Sequence, residues 1–291
     1  MNLIIIISSI LVSIMVIGFS LRWNWWRKRK GGIPVLMYHK IGHAPALSAQ
    51  KELWIDPQTF AWHMEYLKSK GFESVTFKDI SQGIMPEKPV IITFDDGYLN
   101  CYENAFPIMQ HFNMRGVFYI VFNAIAKDNF WHDPKNEPRI PMMNLEQIIT
   151  MQKAGMEIGS HTLDHKRLKT LLLDDAKYEL NESKKQLEAL INEEMTSFAF
   201  PYGNGEDSPD LINAAFDAGY KYVIGIHSGI WQMDSGQNTE DSEAVPEYAR
   251  QDSTPGQAKD PTDSVVPRIF VRGDDIRFDF MLQLKTGRSR Q

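Results

Sequence analysis

The stretch from Pro89 to Asn100 reads PVIITFDDGYLN: apolar and β-favouring residues run straight into two adjacent acids, Asp95 and Asp96, and then Gly97. A buried carboxylate is costly unless it is paired, hydrogen-bonded or bound to a metal. Neighbouring side chains on a strand point to opposite faces. At a strand end, where Gly97 lets the chain turn, both acids can reach one mouth, and catalytic groups of α/β barrels gather at the C-terminal strand ends. A helix N-cap accounts for one of the two aspartates but not for the pair. The stretch EIGSHTLDHKRL sets His161 and His165 four apart, directly after a short strand. Two imidazoles at that spacing can converge on one cation, and a carboxylate as third ligand leaves positions open for water; two surface histidines in a loop are the plainer alternative. Asp96, His161 and His165 together make a two-histidine, one-carboxylate set. In FAFPYGNGE a strand meets Pro201, Tyr202 and Gly203, which is either an ordinary turn or a backbone donor beside a reacting carbonyl.

The elements that must position these residues alternate between strand and helix. IPVLMY from Ile33, FESVTF, KPVIITF, RGVFYIV, MEIGS, TSFAF, YKYVIGI and VPRIFV read as strands. DPQTFAWHMEYLKSKG reads as a helix with Asp56 as N-cap, Pro57 at its first position, Phe60, Met64 and Leu67 on one face and Gly71 as its stop. Further helices are expected at about 99–112, after the cap Asn144, at about 173–192 with Leu180, Leu187 and Ile191 on one face, at about 208–218, and over DDIRFDFMLQLK. This alternation predicts an α/β fold with a mostly parallel sheet or barrel. The polar, acidic segment from Gln232 to Ser264 has too little apolar content to pack and reads as a flexible loop. The insert from Asn123 to Met143, carrying Trp131 and His132, lies near strand ends, where long inserts shape substrate grooves.

Residues Leu3 to Leu21 carry no charge. Nineteen residues make roughly 28 Å of helix, close to the ~30 Å hydrocarbon core. Tryptophans and the basic cluster from Arg27 to Lys30 follow, and no small-residue cleavage site is evident. Residues 1–30 therefore read as a single transmembrane helix with a basic juxtamembrane segment, Gly31 and Gly32 as a hinge, and 31–291 as the catalytic domain. The positive-inside rule puts that domain on the cytoplasmic face; the extracytoplasmic side is the alternative, because the rule weakens for long translocated domains. The composition, 43% hydrophobic and 23% charged, suits a globular core, and a net charge of −6 gives no invitation to nucleic acid. Cys101, the one cysteine, cannot form an internal disulfide.

At TFDDG, SHTLDH and FPYG the chain resembles the polysaccharide deacetylase family, the NodB-homology carbohydrate esterases of family 4. VLMYHKIG and VPRIFV resemble the members that deacetylate poly-N-acetylglucosamine. The resemblance spans about Ile33 to Lys285. It implies a distorted (β/α) barrel of about seven parallel strands and metal-dependent removal of N-acetyl groups from an N-acetylhexosamine polysaccharide, N-acetylglucosamine foremost, or its lipid-linked precursor. It makes Asp95 the general base, Asp96, His161 and His165 the ligands of a divalent metal (Zn first, Co or Ni also suitable), and the Tyr202 N–H an oxyanion donor. Two departures stand out. The family's arginine two residues before the third-motif proline is here Ala199, and Arg268 is the candidate to supply that guanidinium. No late L-x-x-H occurs, so the proton donor is either His39, at the end of the first strand beside the last one, or His227; His39 is preferred and is expected opposite the base. The resemblance implies a glycan as partner, with the membrane and the polysaccharide synthesis machinery as further partners. Trp131 and Trp231 are either sugar-stacking or ordinary packing residues. An O-acetyl esterase and a non-catalytic glycan-binding module are the competing functions.

Overall fold

The computed structural model describes residues 3–23, 28–233 and 261–289. In chain order the elements are α1 (Leu3–Trp23), β1 (Val35–Tyr38), β2 (Lys40–Ile41), β3 (Trp54–Ile55), α2 (Pro57–Ser69), β4 (Glu73–Ser74), α3 (Phe77–Ser81), β5 (Pro89–Phe94), α4 (Phe106–His111), β6 (Val117–Ile120), α5 (Leu145–Lys153), β7 (Glu157–Ser160), α6 (Leu173–Ile191), β8 (Ser197–Ala199), α7 (Pro209–Asp217), β9 (Tyr222–Ile224), β10 (Val265–Val266), β11 (Ile269–Phe270) and α8 (Arg277–Thr286).

One all-parallel sheet runs β10-β9-β8-β7-β6-β5-β1-β11, with β4 beside the start of β5. Eight strands lie along this path, against the expected number of about seven. The difference arises at VPRIFV, which is not one strand. Val265 and Val266 pair with β9, while Ile269 and Phe270 pair with β1. The two edges of the sheet are thus consecutive pieces of chain, joined through Pro267 and Arg268. Proline has no N–H to give a ladder, so the strand breaks there and the sheet curls until its edges meet at two residues.

Alternation along the strands sorts the core into two layers. Val35, Ile91, Val117, Tyr119, Ala199, Ile224 and Val266 fill the barrel interior, whereas Leu36, Val90, Ile92, Phe94 and Phe118 pack against the surrounding helices. On β5 the inward set is Ile91 and Thr93, and the next residue in that phase is Asp95. Trp231 belongs to the inner layer, against Phe77 and Tyr222, so it packs the barrel and does not meet sugar. Gly32 adopts φ +99, and a Cβ there would lie 2.4 Å from the Trp231 carbonyl oxygen. Ile33 bridges to Trp231, so the expected hinge is a packed junction.

The helix signals act locally. Asp56 accepts from the N–H groups of Gln58 and Thr59, and Asn144 forms a capping box with Gln147. The strand expected over FESVTF stops after Ser74, because Thr76 and Asp79 form a second capping box that starts α3 at Phe77. The expected single helix at 99–112 opens with a π-helical turn, Cys101–Ala105, before α4.

At the N-terminus α1 forms where a helix was expected. Its described side chains, 5–18 and 20, include a set of exposed apolar residues. Among the described residues no helix is long and apolar enough to cross a membrane. Residues 24–27, with part of the basic cluster, and 234–260, which make up most of the expected acidic loop, lie outside the described residues.

Candidate active site

Asp95 and Asp96 follow β5 at its C-terminal end, and the turn is sharp. Asp96 has φ +75 and Gly97 φ +87. A Cβ at Gly97 would press on Ile120 at 3.0 Å, which adds a steric reason for glycine. Thr162, His165 and Tyr202 also hold positive φ, at 67°, 57° and 58°. Such backbone costs of order 1–3 kcal/mol per residue and persists where the surroundings enforce it, as at functional sites.

The strand ends bring the residues singled out in the sequence into one pocket of 250 Å³. His39, Asp95, Asp96, His161, His165 and Tyr202 all line it. The Nε2 atoms of His161 and His165 lie 3.3 and 3.1 Å from Asp96 Oδ1. The ligand atoms of the three residues fall within 4.8 Å of one another, and all three side chains are buried. His161 Nδ1 lies 2.7 Å from the Ala199 carbonyl oxygen, which makes Nδ1 the donor and leaves Nε2 free as a ligand atom. Trp131, from the insert, stacks on His165 with ring centroids 4.4 Å apart. Burial drives His165 down to about 4, so its imidazole is neutral at pH 7. Burial pushes Asp96 up, but the charge and hydrogen bonds of the two histidines outweigh it and hold the carboxyl well below its usual range. One carboxylate and two imidazoles facing a common point are a donor set that fits a divalent metal.

Arg268 reaches Asp95 from the break between β10 and β11. Its Nη1 and Nη2 donate to Asp95 Oδ1 and Oδ2 at 2.6 and 2.8 Å, its Nε donates to the Gly225 carbonyl at 2.7 Å, and Nη1 also reaches Thr93 Oγ1 at 3.1 Å. The guanidinium is fully buried and lies 5.9 Å from the centroid of the Tyr119 ring. Burial pushes the Asp95 carboxyl up, but the charge and hydrogen bonds of Arg268 pull harder, and its pKa falls below the ordinary value. A guanidinium that grips both oxygens fixes the carboxylate plane.

The two candidate proton donors separate. His39 Nε2 stands 3.9 Å from Asp95 Oδ2, with its side chain 16% exposed. His39 is therefore beside Asp95, because β1 and β5 are neighbours, and not opposite it as expected. Burial lowers the His39 pKa, with Asp95 and Asp96 raising it in part and Arg268 and Lys40 opposing them. His227 is half-exposed, pairs with Glu206 at 3.1 Å and is absent from the pocket wall. Its loop hydrogen-bonds back to the closing segment through Arg268 N–H and the His227 carbonyl, which carries its ring away from the mouth.

The pocket also holds Gln50, Glu52 and His132. His132 lies in the insert that the sequence marked out for its position alone. Gln50 and Glu52 carried no signal: they sit on a short turn, Lys51–Leu53, brought to the mouth because β3 pairs with β2, just after His39.

A parallel α/β barrel with such a constellation at its strand ends has the layout of barrel enzymes that draw their reactive groups from several strands. The polysaccharide deacetylase family model matches residues 82–223, so the chain carries a polysaccharide deacetylase domain over that stretch. A Bacillus subtilis (strain 168) protein provisionally named polysaccharide deacetylase YxkH is 28% identical over 209 residues, 70% of this chain and 68% of its own. A Staphylococcus aureus (strain MSSA476) poly-β-1,6-N-acetyl-D-glucosamine N-deacetylase is 26% identical over 214 residues, 66% of this chain and 71% of its own. The fold is that of the Streptococcus pyogenes deacetylase PplD, solved with acetate (TM-score 0.67, 20% identity, 87% of this chain and 98% of that one), and of IcaB from Ammonifex degensii (0.64, 21%, 88% and 98%).

Proposed function

We propose that this chain removes N-acetyl groups from an N-acetylhexosamine polysaccharide, N-acetylglucosamine foremost, or from its lipid-linked precursor, with a divalent metal held by Asp96, His161 and His165. The observation that carries the reading is a carboxylate, Asp95, gripped by a buried arginine and set in one pocket with that donor set. When bound, the metal supplies Lewis-acid chemistry, polarising the acetyl carbonyl and making water more acidic. Zinc suits two imidazoles and a carboxylate best, and cobalt or nickel can replace it.

Asp95 accepts the proton of the attacking water, and Arg268 keeps it ionised and oriented. The Tyr202 N–H donates to the oxygen on which charge develops. His39 gives a proton to the departing nitrogen. An amide needs that proton because an amine is a poor leaving group, and this favours the N-acetyl reading over an O-acetyl esterase, whose alcohol leaves with less help. The set of reactive residues is complete, which favours catalysis over a pure glycan-binding module.

We also propose that α1 ties the domain to a membrane. The support is the uncharged run from Leu3 to Leu21 and the exposed apolar side chains along the helix. The basic residues after it favour the cytoplasmic face. In that setting the polysaccharide synthesis machinery is a natural neighbour.

The test is acetate release from N-acetylglucosamine oligomers and from acetylated xylan, with and without chelator. Release from the former, lost on chelation and restored by metal, is the expected result, and His161→Ala should no longer retain metal. Full activity in a verified metal-free sample would sink the reading.

A further inference from the structure

A pocket of 250 Å³ holds the liquid volume of about eight waters. If one acetylated ring of a polymer enters it, the neighbouring rings must lie along the rim. The turn with Gln50 and Glu52 lines the same pocket as His39 and the two aspartates. Gln50 Oε1 is buried and has no hydrogen-bond partner. Glu52 is half-buried, and among the described residues its carboxylate makes no ion pair. The nearby charges do not answer it. Lys51 points to solvent, and Arg272, whose neighbour Gly273 donates its N–H to the Glu52 carbonyl, pairs with Asp274.

The turn is held rigidly. Lys40 Nζ and Ser48 Oγ donate to the two oxygens of buried Glu137 at 2.9 and 2.7 Å, and the Ala49 N–H donates to the Asn136 carbonyl at 3.0 Å. These bonds tie the segment leading into the turn to the insert on the other side of the mouth. Two acceptors are therefore offered at fixed positions.

The charge balance of the pocket identifies what they accept. Asp95 is neutralised by Arg268, and Asp96 belongs to the donor set whose proposed metal would neutralise it. Glu52 is left over. A sugar hydroxyl would satisfy its hydrogen bonding but leave its charge uncompensated in a half-buried position, whereas an ammonium cancels it. The product of N-deacetylation is a primary amine, which carries that charge once protonated.

We infer that Glu52, with Gln50 beside it, forms a subsite for the ammonium of an already deacetylated hexosamine ring next to the acetylated target. The inference rests on the N-deacetylase reading above. It makes partly deacetylated chain the preferred substrate, so that each reaction prepares the binding of the next.

The test uses the full-length protein at pH 6 with two readouts. Calorimetric binding of a glucosamine tetramer and of an N-acetylglucosamine tetramer is compared between wild type, Glu52→Gln and Glu52→Asp. A hydrogen bond to a charged group is worth enough to predict about tenfold weaker binding of the glucosamine tetramer to Glu52→Gln. Partial recovery is expected in Glu52→Asp, with less than a twofold change for the acetylated tetramer. Equal losses on both ligands would identify a hydroxyl contact and overturn the inference, as would no loss on either. Acetate release by the wild type from the acetylated tetramer is measured alongside. Its absence, with Glu52-dependent binding intact, overturns the reaction and leaves the subsite standing.

Discussion

At the residue scale, the Arg268–Asp95 pair has the most direct consequences. Asp95→Asn keeps the shape but cannot take a proton from water. It is expected to retain metal and to lose turnover by ~10²–10⁴-fold; a variant within a few-fold of wild type refutes the assignment. The histidines separate by leaving group. His39→Ala is expected to retain metal and substrate binding but to lose turnover, far more for N-acetyl substrates than for activated acetate esters, whose leaving groups need little protonation. His227→Ala, whose ring pairs with Glu206 outside the pocket, should be mild on both. If the two variants exchange behaviour, the proton comes from the His227 loop. Both effects are read as kcat at saturating substrate, with bound metal measured in the same samples.

At the element scale, β7 carries a carboxylate away from the site whose ionisation bears on stability. Glu157 opens the strand, buried at the barrel base, where its oxygens accept from the Lys78 N–H at 2.8 Å and the Ser197 hydroxyl at 3.0 Å. Burial lifts it from 4.5 to about 7, against those hydrogen bonds. Between the two values the unfolded chain has released a proton that the folded barrel keeps, so stability declines as pH rises through that window, and the deficit is complete above about 7. The shift corresponds to a deficit on the order of 3 kcal/mol. Glu157→Gln removes the ionisation. It should withstand more urea than wild type at pH 8 and match it at pH 5. A variant less stable than wild type at pH 8 would mean that the barrel holds Glu157 ionised and relies on its charge.

At the scale of the whole molecule, the question is how the N-terminal segment joins the barrel. Arg29 lies over Phe72 at 5.7 Å, the Lys30 N–H donates to the Lys285 carbonyl at 3.0 Å, and Ile33 bridges to Trp231. Deleting residues before Gly31 removes the first two contacts and keeps the third. One hydrogen bond and one exposed cation–π contact are worth roughly 1–2 kcal/mol, a few degrees in melting temperature for a domain of this size. The truncated chain is therefore expected to be soluble, active and only slightly less heat-stable. Release of the full-length protein from membranes by high salt alone would argue against a spanning helix. Protease accessibility in sealed vesicles decides the side.

Much of this was legible in the residues themselves, because the signals are local. A strand that ends in Asp95-Asp96-Gly97, two histidines four apart and a Pro-Tyr-Gly turn each declare a strand end, and caps such as Asp56 and Asn144 announce their helices. The three site motifs lie within residues 82–223, the stretch matched by the family model. Arg268 apart, already the candidate for the guanidinium, what lay beyond the sequence were the features built from distant segments. FESVTF looked like one strand because its pattern is apolar, yet a capping box competed for its second half. VPRIFV looked like one strand as well, but a barrel needs two edges closed, and Pro267 splits the segment so that each half serves one edge. That break delivers Arg268 to Asp95 across 173 positions of chain. The pairing of β1 with β5 sets His39 beside the carboxylate, and the pairing of β3 with β2 brings Gln50 and Glu52 to the mouth. Side-chain type and short spacing determine which chemistry is available; strand order and barrel closure decide which of those groups meet, because only they set distances between residues far apart in the chain.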